Sequence, residues 1–140
     1  MKTVLETKCI PKGKQRYGME AVIDLKGCNV EKFTRESIAK WLEILCDEKI
    51  DMVRDKLVFW DDEGVPEEEK MTEPHTSGIS GVQFILTSSI VFHTLDLTGE
   101  IYVNIFSCKD FDGQVAIDFT KEYFEGEIRD QHVIDRGNYQ

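Results

Sequence analysis

The residues best suited to chemistry fall in the second half of this 140-residue chain: Ser80, Ser88, His93 and Cys108. Thr87-Ser88-Ser89 sets three small hydroxyl residues between two apolar triplets, Phe84-Ile85-Leu86 and Ile90-Val91-Phe92. Such an interruption serves as a bulge or tight bend between strands, its hydroxyls satisfied by local backbone, unless one of them reacts. His93 follows a β-branched run; its imidazole suits proton transfer near neutral pH, and equally a satisfied core or edge position. Cys108 ends an apolar stretch. A thiol with a pKa near ~8.5 is mostly protonated at neutral pH and can act as an acid, and it also packs as a small hydrophobe. Taken singly, each residue leaves both readings open.

The elements that must position them follow from periodicity. Met19 to Leu25 reads as a strand ended by Lys26-Gly27. Thr34 is placed to cap a helix, with Ile38, Trp41, Leu42 and Leu45 at i, i+3, i+4, i+7 forming its core stripe. Lys56–Trp60 is a second strand. Gly81–Thr87 and Ser89–Thr94 are two strand stretches meeting at Thr87-Ser88-Ser89, and Ile101–Phe106 is rich in β-branched and aromatic residues. Gln114–Phe124 reads as a helix stopped by Gly126, and Glu127–Ile134 alternates as a last strand. The order β-α-β-loop-β-β-β-α-β predicts an α+β two-layer sandwich, an antiparallel sheet with two helices on one face.

Composition narrows the partners. The formal charge is −10, and residues 1–17 hold five bases (Lys2, Lys8, Lys12, Lys14, Arg16) against Glu6, so +4 there leaves −14 on the rest. An acidic body excludes a nucleic-acid partner, since phosphate binding needs a basic face. Residues 1–17 read as a loose basic arm and 18–140 as one domain. Within it, 61–79 forms a loop with seven acids (Asp61, Asp62, Glu63, Glu67, Glu68, Glu69, Glu73), expected to be a solvated, mobile excursion rather than a metal site. Four cysteines (Cys9, Cys28, Cys46, Cys108) and three histidines (His75, His93, His132) show no C-x-x-C or H-x-x-x-H spacing, so no metal is expected. With no membrane-spanning run and no signal segment, the expected setting is cytoplasmic, with reduced cysteines and no membrane partner.

Several spaced segments in one order carry more than any single residue. Gly78-Ile79-Ser80-Gly81-Val82, then Thr87-Ser88-Ser89, His93-Thr94, Gly99 and Phe106-Ser107-Cys108 resemble the S-adenosylmethionine decarboxylase family in its short prokaryotic form, which shows G-[VI]-S-G-V, E-S-H, I-H-T and D-x-F-T-C. The spacing from Ser80 through Ser88 and His93 to Cys108 matches without a gap. Asp24-Leu25-Lys26-Gly27-Cys28 and the Arg136-Gly137 tail fit as well, so the resemblance spans roughly residues 18–137. It implies a proenzyme that cuts itself between Thr87 and Ser88, turning Ser88 into a pyruvoyl cofactor. Ser80 and His93 match residues assisting that step, and Cys108 matches the proton donor used after a Schiff-base-linked substrate loses CO₂. It also implies a small-molecule substrate, S-adenosylmethionine of polyamine (spermidine) biosynthesis, and a homodimer.

The departures define the rivals. Thr87 stands where the family has Glu, and Ser89 where it has His, which leaves room for an unprocessed, non-catalytic binding module. Leu95 replaces an aromatic that helps hold the nucleoside, and the acidic loop sits where another substrate-stacking aromatic lies, with Trp60 or Phe59 as its stand-in. Those changes leave room for a sister decarboxylase of arginine or ornithine.

Overall fold

In the computed structural model of the chain, residues 15–138 are described. Strand β1 (Arg16–Lys26) leads through a short turn into helix α1 (Arg35–Ile44), whose last turn widens over Leu45–Lys49 before strand β2 (Arg54–Trp60). Strands β3 (Ser80–Ile85), β4 (Ser88–Leu95) and β5 (Glu100–Ser107) then run as a meander, followed by helix α2 (Gly113–Phe124) and strand β6 (Glu127–Asn138). The order matches the sequence expectation. The expected basic arm lies outside the described residues except for its end, where Arg16 and Tyr17 belong to β1.

All six strands form one antiparallel sheet in the order β2-β3-β4-β5-β1-β6. Alternation assigns its two faces. Ile23, Leu25, Ile90, Phe92, Ile101, Val103 and Ile105 point to one side and join Ile38, Trp41, Leu42, Leu45, Ile117 and Phe124 of the helical segments in one buried cluster. Full burial of side chains of this kind stabilises by about 1.5–3 kcal/mol each. Thr34 caps α1 as expected, its hydroxyl accepting from the Ser37 amide. Trp41 is packing, as expected: its ring meets Phe92 and Phe124 edge-on, and its indole N–H donates to Thr120 Oγ1 at 3.1 Å. Among the described residues, the opposite face of the sheet carries no helix and exposes Val58, Trp60, Phe84 and Ile134.

The β3–β4 connection is tighter than the sequence indicates. Ile85 pairs with Ser88, so only Leu86 and Thr87 make the turn and Ser88 opens β4. Two-residue hairpin turns call for left-handed backbone, and here a threonine supplies it, with φ +60 at Thr87.

Candidate active site

Ser88 and Cys108 lie at the turn end of this hairpin. They line one cavity of about 340 Å³ with Asp51, Met52, Thr87, Ser107 and Lys109 among its other walls. The Ser88 hydroxyl donates to Ser107 Oγ at 3.1 Å, and the same oxygen accepts from the Lys109 amide at 2.9 Å. Thr87 Oγ1 donates to the Leu86 carbonyl at 2.6 Å and stands 3.0 Å from Cys108 Sγ. Ser107 is fully buried, and β1 approaches it so closely at Gly18 that a Cβ there would collide with the Ser107 carbonyl. Lys109 Nζ closes one wall through Asp51 at 3.2 Å.

Cys28 and Cys46 are free thiols held in the protonated form: burial pushes Cys28 to about 11, with Glu100 adding to the effect, and burial pushes Cys46 to about 12. Cys108 departs from the expectation of reduced cysteines. It is disulfide-bonded.

Ser80 and His93 form a second cluster. They pair across β3 and β4, with His93 Nδ1 and Ser80 Oγ hydrogen-bonded at 2.9 Å. Five strand steps along β4 separate His93 from Ser88, roughly 17 Å. The two also differ in face: Ser88 shares its parity with buried Ile90 and Phe92, whereas His93 alternates with Ser89 and Val91 on the open side. One chain therefore brings Ser88, Thr87 and Cys108 together and Ser80 and His93 together, but does not join the two groups.

The second cluster has its own cavity, about 470 Å³, lined by Ser80, His93 and both tentative substrate residues, Trp60 and Leu95. Its remaining walls include Met71, His75 and Thr76 of the acidic loop. The loop is thus not the free excursion expected from its composition. Arg35 grips Asp61 with two bonds of 2.8 Å, Asp62 accepts from the Met71 amide at 2.8 Å, and Glu73 closes a turn with the amides of Thr76 and Ser77. Its far end is fastened by buried Thr94, which accepts from the Ile79 amide at 2.9 Å and donates to Asp96 at 3.0 Å. Gly78 lies against the Thr94 carbonyl with no space for a Cβ. Burial raises the Asp96 carboxyl above its ordinary value, against the Thr94 hydrogen bond that lowers it.

Ser107 was visible in the sequence only as the neighbour of Cys108; nothing in its type marks it as the partner of Ser88. Met71 and His75 were hidden by the charge of the loop around them.

The S-adenosylmethionine decarboxylase family profile matches residues 19–137, most of the chain and every residue of both clusters. The chain belongs to the S-adenosylmethionine decarboxylase family. Its fold is similar to the crystal structure of the adenosylmethionine decarboxylase from Aquifex aeolicus VF5, with a TM-score of 0.70 and 22% identity, over 91% of this chain and 96% of that one. Comparison with curated protein sequences gives no match. Family membership makes this a decarboxylase fold with S-adenosylmethionine as the family's substrate. The two halves of its G-[VI]-S-G-V motif now have physical reasons: Gly78 and Gly81 sit where a Cβ would strike backbone, and Ser80 meets His93.

Proposed function

We propose that this chain is a pyruvoyl-dependent S-adenosylmethionine decarboxylase, made as a proenzyme that cuts itself between Thr87 and Ser88. The observation that carries the reading is the Ser88 hydroxyl, lining a cavity beside the left-handed Thr87 whose carbonyl it must attack. In the first step Ser88 Oγ adds to the Thr87 carbonyl carbon and the peptide C–N bond breaks. The hydroxyl proton ends on the freed Ser88 nitrogen, leaving an ester. Loss of the Ser88 Cα proton then expels the Thr87 carboxylate from Cβ. Uptake of one water and release of ammonia leave a keto group at residue 88.

The residues around Ser88 fit a group of that size: Thr87, Ser107 and Cys108, which line the cavity with Ser88, would hold it. The pyruvoyl group, once made, supplies an electron sink for loss of CO₂ from a bound amine. Cys108 is the proton donor to the product carbon, and its disulfide must first be reduced for the thiol to serve. A reducing cytoplasm does this, and there the product feeds polyamine synthesis.

Ser80 and His93 take part through a second copy. A homodimer packing the helix-free faces of two sheets, where Val58, Trp60, Phe84 and Ile134 are exposed, lets one protomer's His93 serve the other's Ser88 end. Once the ester has formed, residue 88 is joined to Thr87 only through its Oγ, its nitrogen is free, and it is no longer bound to the parity of β4. His93 then removes the Cα proton, with Ser80 fixing its ring.

Labelled-CO₂ release with reductant present tests the assignment. S-adenosylmethionine as the productive substrate, with no release by Ser88→Ala, is expected. Release from arginine or ornithine instead would place the chain with a sister decarboxylase. No release from any of the three, by an uncut chain, would make it a binding module.

A further inference from the structure

We infer that Ser107 is the positioning residue for the first step of self-cleavage, setting Ser88 Oγ for attack on the Thr87 carbonyl; this rests on the proposed self-cutting function. Three observations carry it. Ser107 is the hydrogen-bond acceptor of the Ser88 hydroxyl, at 3.1 Å. It is fully buried, and its own oxygen is fixed by the Lys109 amide at 2.9 Å. Its backbone is fixed too, because β1 lies against the Ser107 carbonyl at Gly18.

The chemistry explains why an acceptor is wanted at that point. A serine nucleophile attacks with an oxygen lone pair, so its proton must point away from the carbon it approaches. Left alone, the Ser88 hydroxyl would donate to the nearest backbone carbonyl, as Thr87 Oγ1 does to Leu86, and its lone pairs would face the wrong way. Ser107 Oγ takes that proton direction and leaves the lone pairs free. Ser107 Oγ is itself held by the Lys109 amide, so rotation of Ser88 about χ1 gives up its hydrogen bond to a fixed acceptor. The proton itself still passes to the Ser88 nitrogen as the C–N bond breaks, so Ser107 forms no bond with the reacting carbon.

The step it serves can be isolated chemically. Hydroxylamine attacks an ester, displacing Ser88 Oγ and leaving a hydroxamate on Thr87, so it yields fragments wherever the ester has formed. With the full chain freshly refolded from denaturant, Ser107→Ala is expected to cut about tenfold more slowly than wild type, near the upper worth of one hydrogen bond. Hydroxylamine should not restore the rate, and Ser107→Thr, which keeps the hydroxyl, should. Matching far-UV circular dichroism for the variants confirms folding. Wild-type cutting by Ser107→Ala, or full recovery of its fragments with hydroxylamine, would overturn the role of Ser107 while leaving self-cleavage intact. A wild-type chain that never cuts would instead overturn the function on which the inference rests.

Discussion

At Thr87 a β-branched side chain is held at φ +60, a conformation that costs such residues about 1–2 kcal/mol. Breaking the peptide that follows releases the turn, so part of that cost is returned on the way to the ester. Thr87→Gly removes the strain while keeping the carbonyl, and the expected result is a cut slowed about fivefold, the equivalent of ~1 kcal/mol. The rate of fragment appearance on denaturing gels measures it, and an unchanged or faster rate would show the strain to be idle. The sequence offered Ser88 and its neighbours as a bend or a reactive site; the hairpin shows the bend, and that bend places the residue before the serine at positive φ. It could not reveal Ser107, whose part depends on strands 19 residues apart meeting side by side. The disulfide at Cys108 was equally out of reach, because cysteine spacing alone does not tell which thiols come together.

Among the elements, strands and helices were legible because their burial is periodic: Ile38, Trp41, Leu42 and Leu45 are all fully buried. The loop over 61–79 was misjudged for a physical reason. Charge density signals solvation, but Asp61 and Glu63 pair with Arg35 and Asp62 accepts from the Met71 amide, so three of its acids hold it in place. Arg35 binds the Asp61 carboxylate through Nε and Nη2, and this hydrogen bonding, helped by the Glu63 amide, keeps Asp61 below its ordinary 3.8 despite partial burial. A carboxyl depressed in the folded state stabilises it fully above the unfolded value of about 3.9, and that stabilisation is lost as pH falls through the folded value. The loop is therefore expected to stay pinned from neutrality down to about pH 4 and to loosen below it. Hydrogen exchange of the 61–79 peptide, corrected for intrinsic rates, follows this directly. Arg35→Ala should lose the protection at every pH; protection unchanged in that variant would contradict the pin.

For the molecule as a whole, the sandwich and its family were readable from spaced motifs, yet the spacing gave no hint that the motifs form two groups. Ser80, Ser88, His93 and Cys108 read as one constellation in sequence, but a straight β4 carries its first and sixth residues to opposite ends of the sheet. A site divided in this way is expected to be completed between protomers. Mixing unfolded Ser88→Ala and His93→Ala chains and refolding them together should give fragments from the His93→Ala chain, whose Ser88 meets a normal His93 in the partner. Neither variant alone should cut. Absence of fragments from a mixture shown by sizing to contain mixed dimers would confine the chemistry to one chain.

The central claim, that Ser88 is converted from a residue within the chain into its own cofactor, is tested most directly by intact mass measurement of the purified protein after incubation at neutral pH. The expected spectrum contains residues 1–87 ending in a free carboxylate and residues 88–140 lighter by one ammonia than a fragment beginning with serine. A Ser88→Ala chain should remain whole. A wild-type chain that persists at full length through the same incubation would contradict the claim.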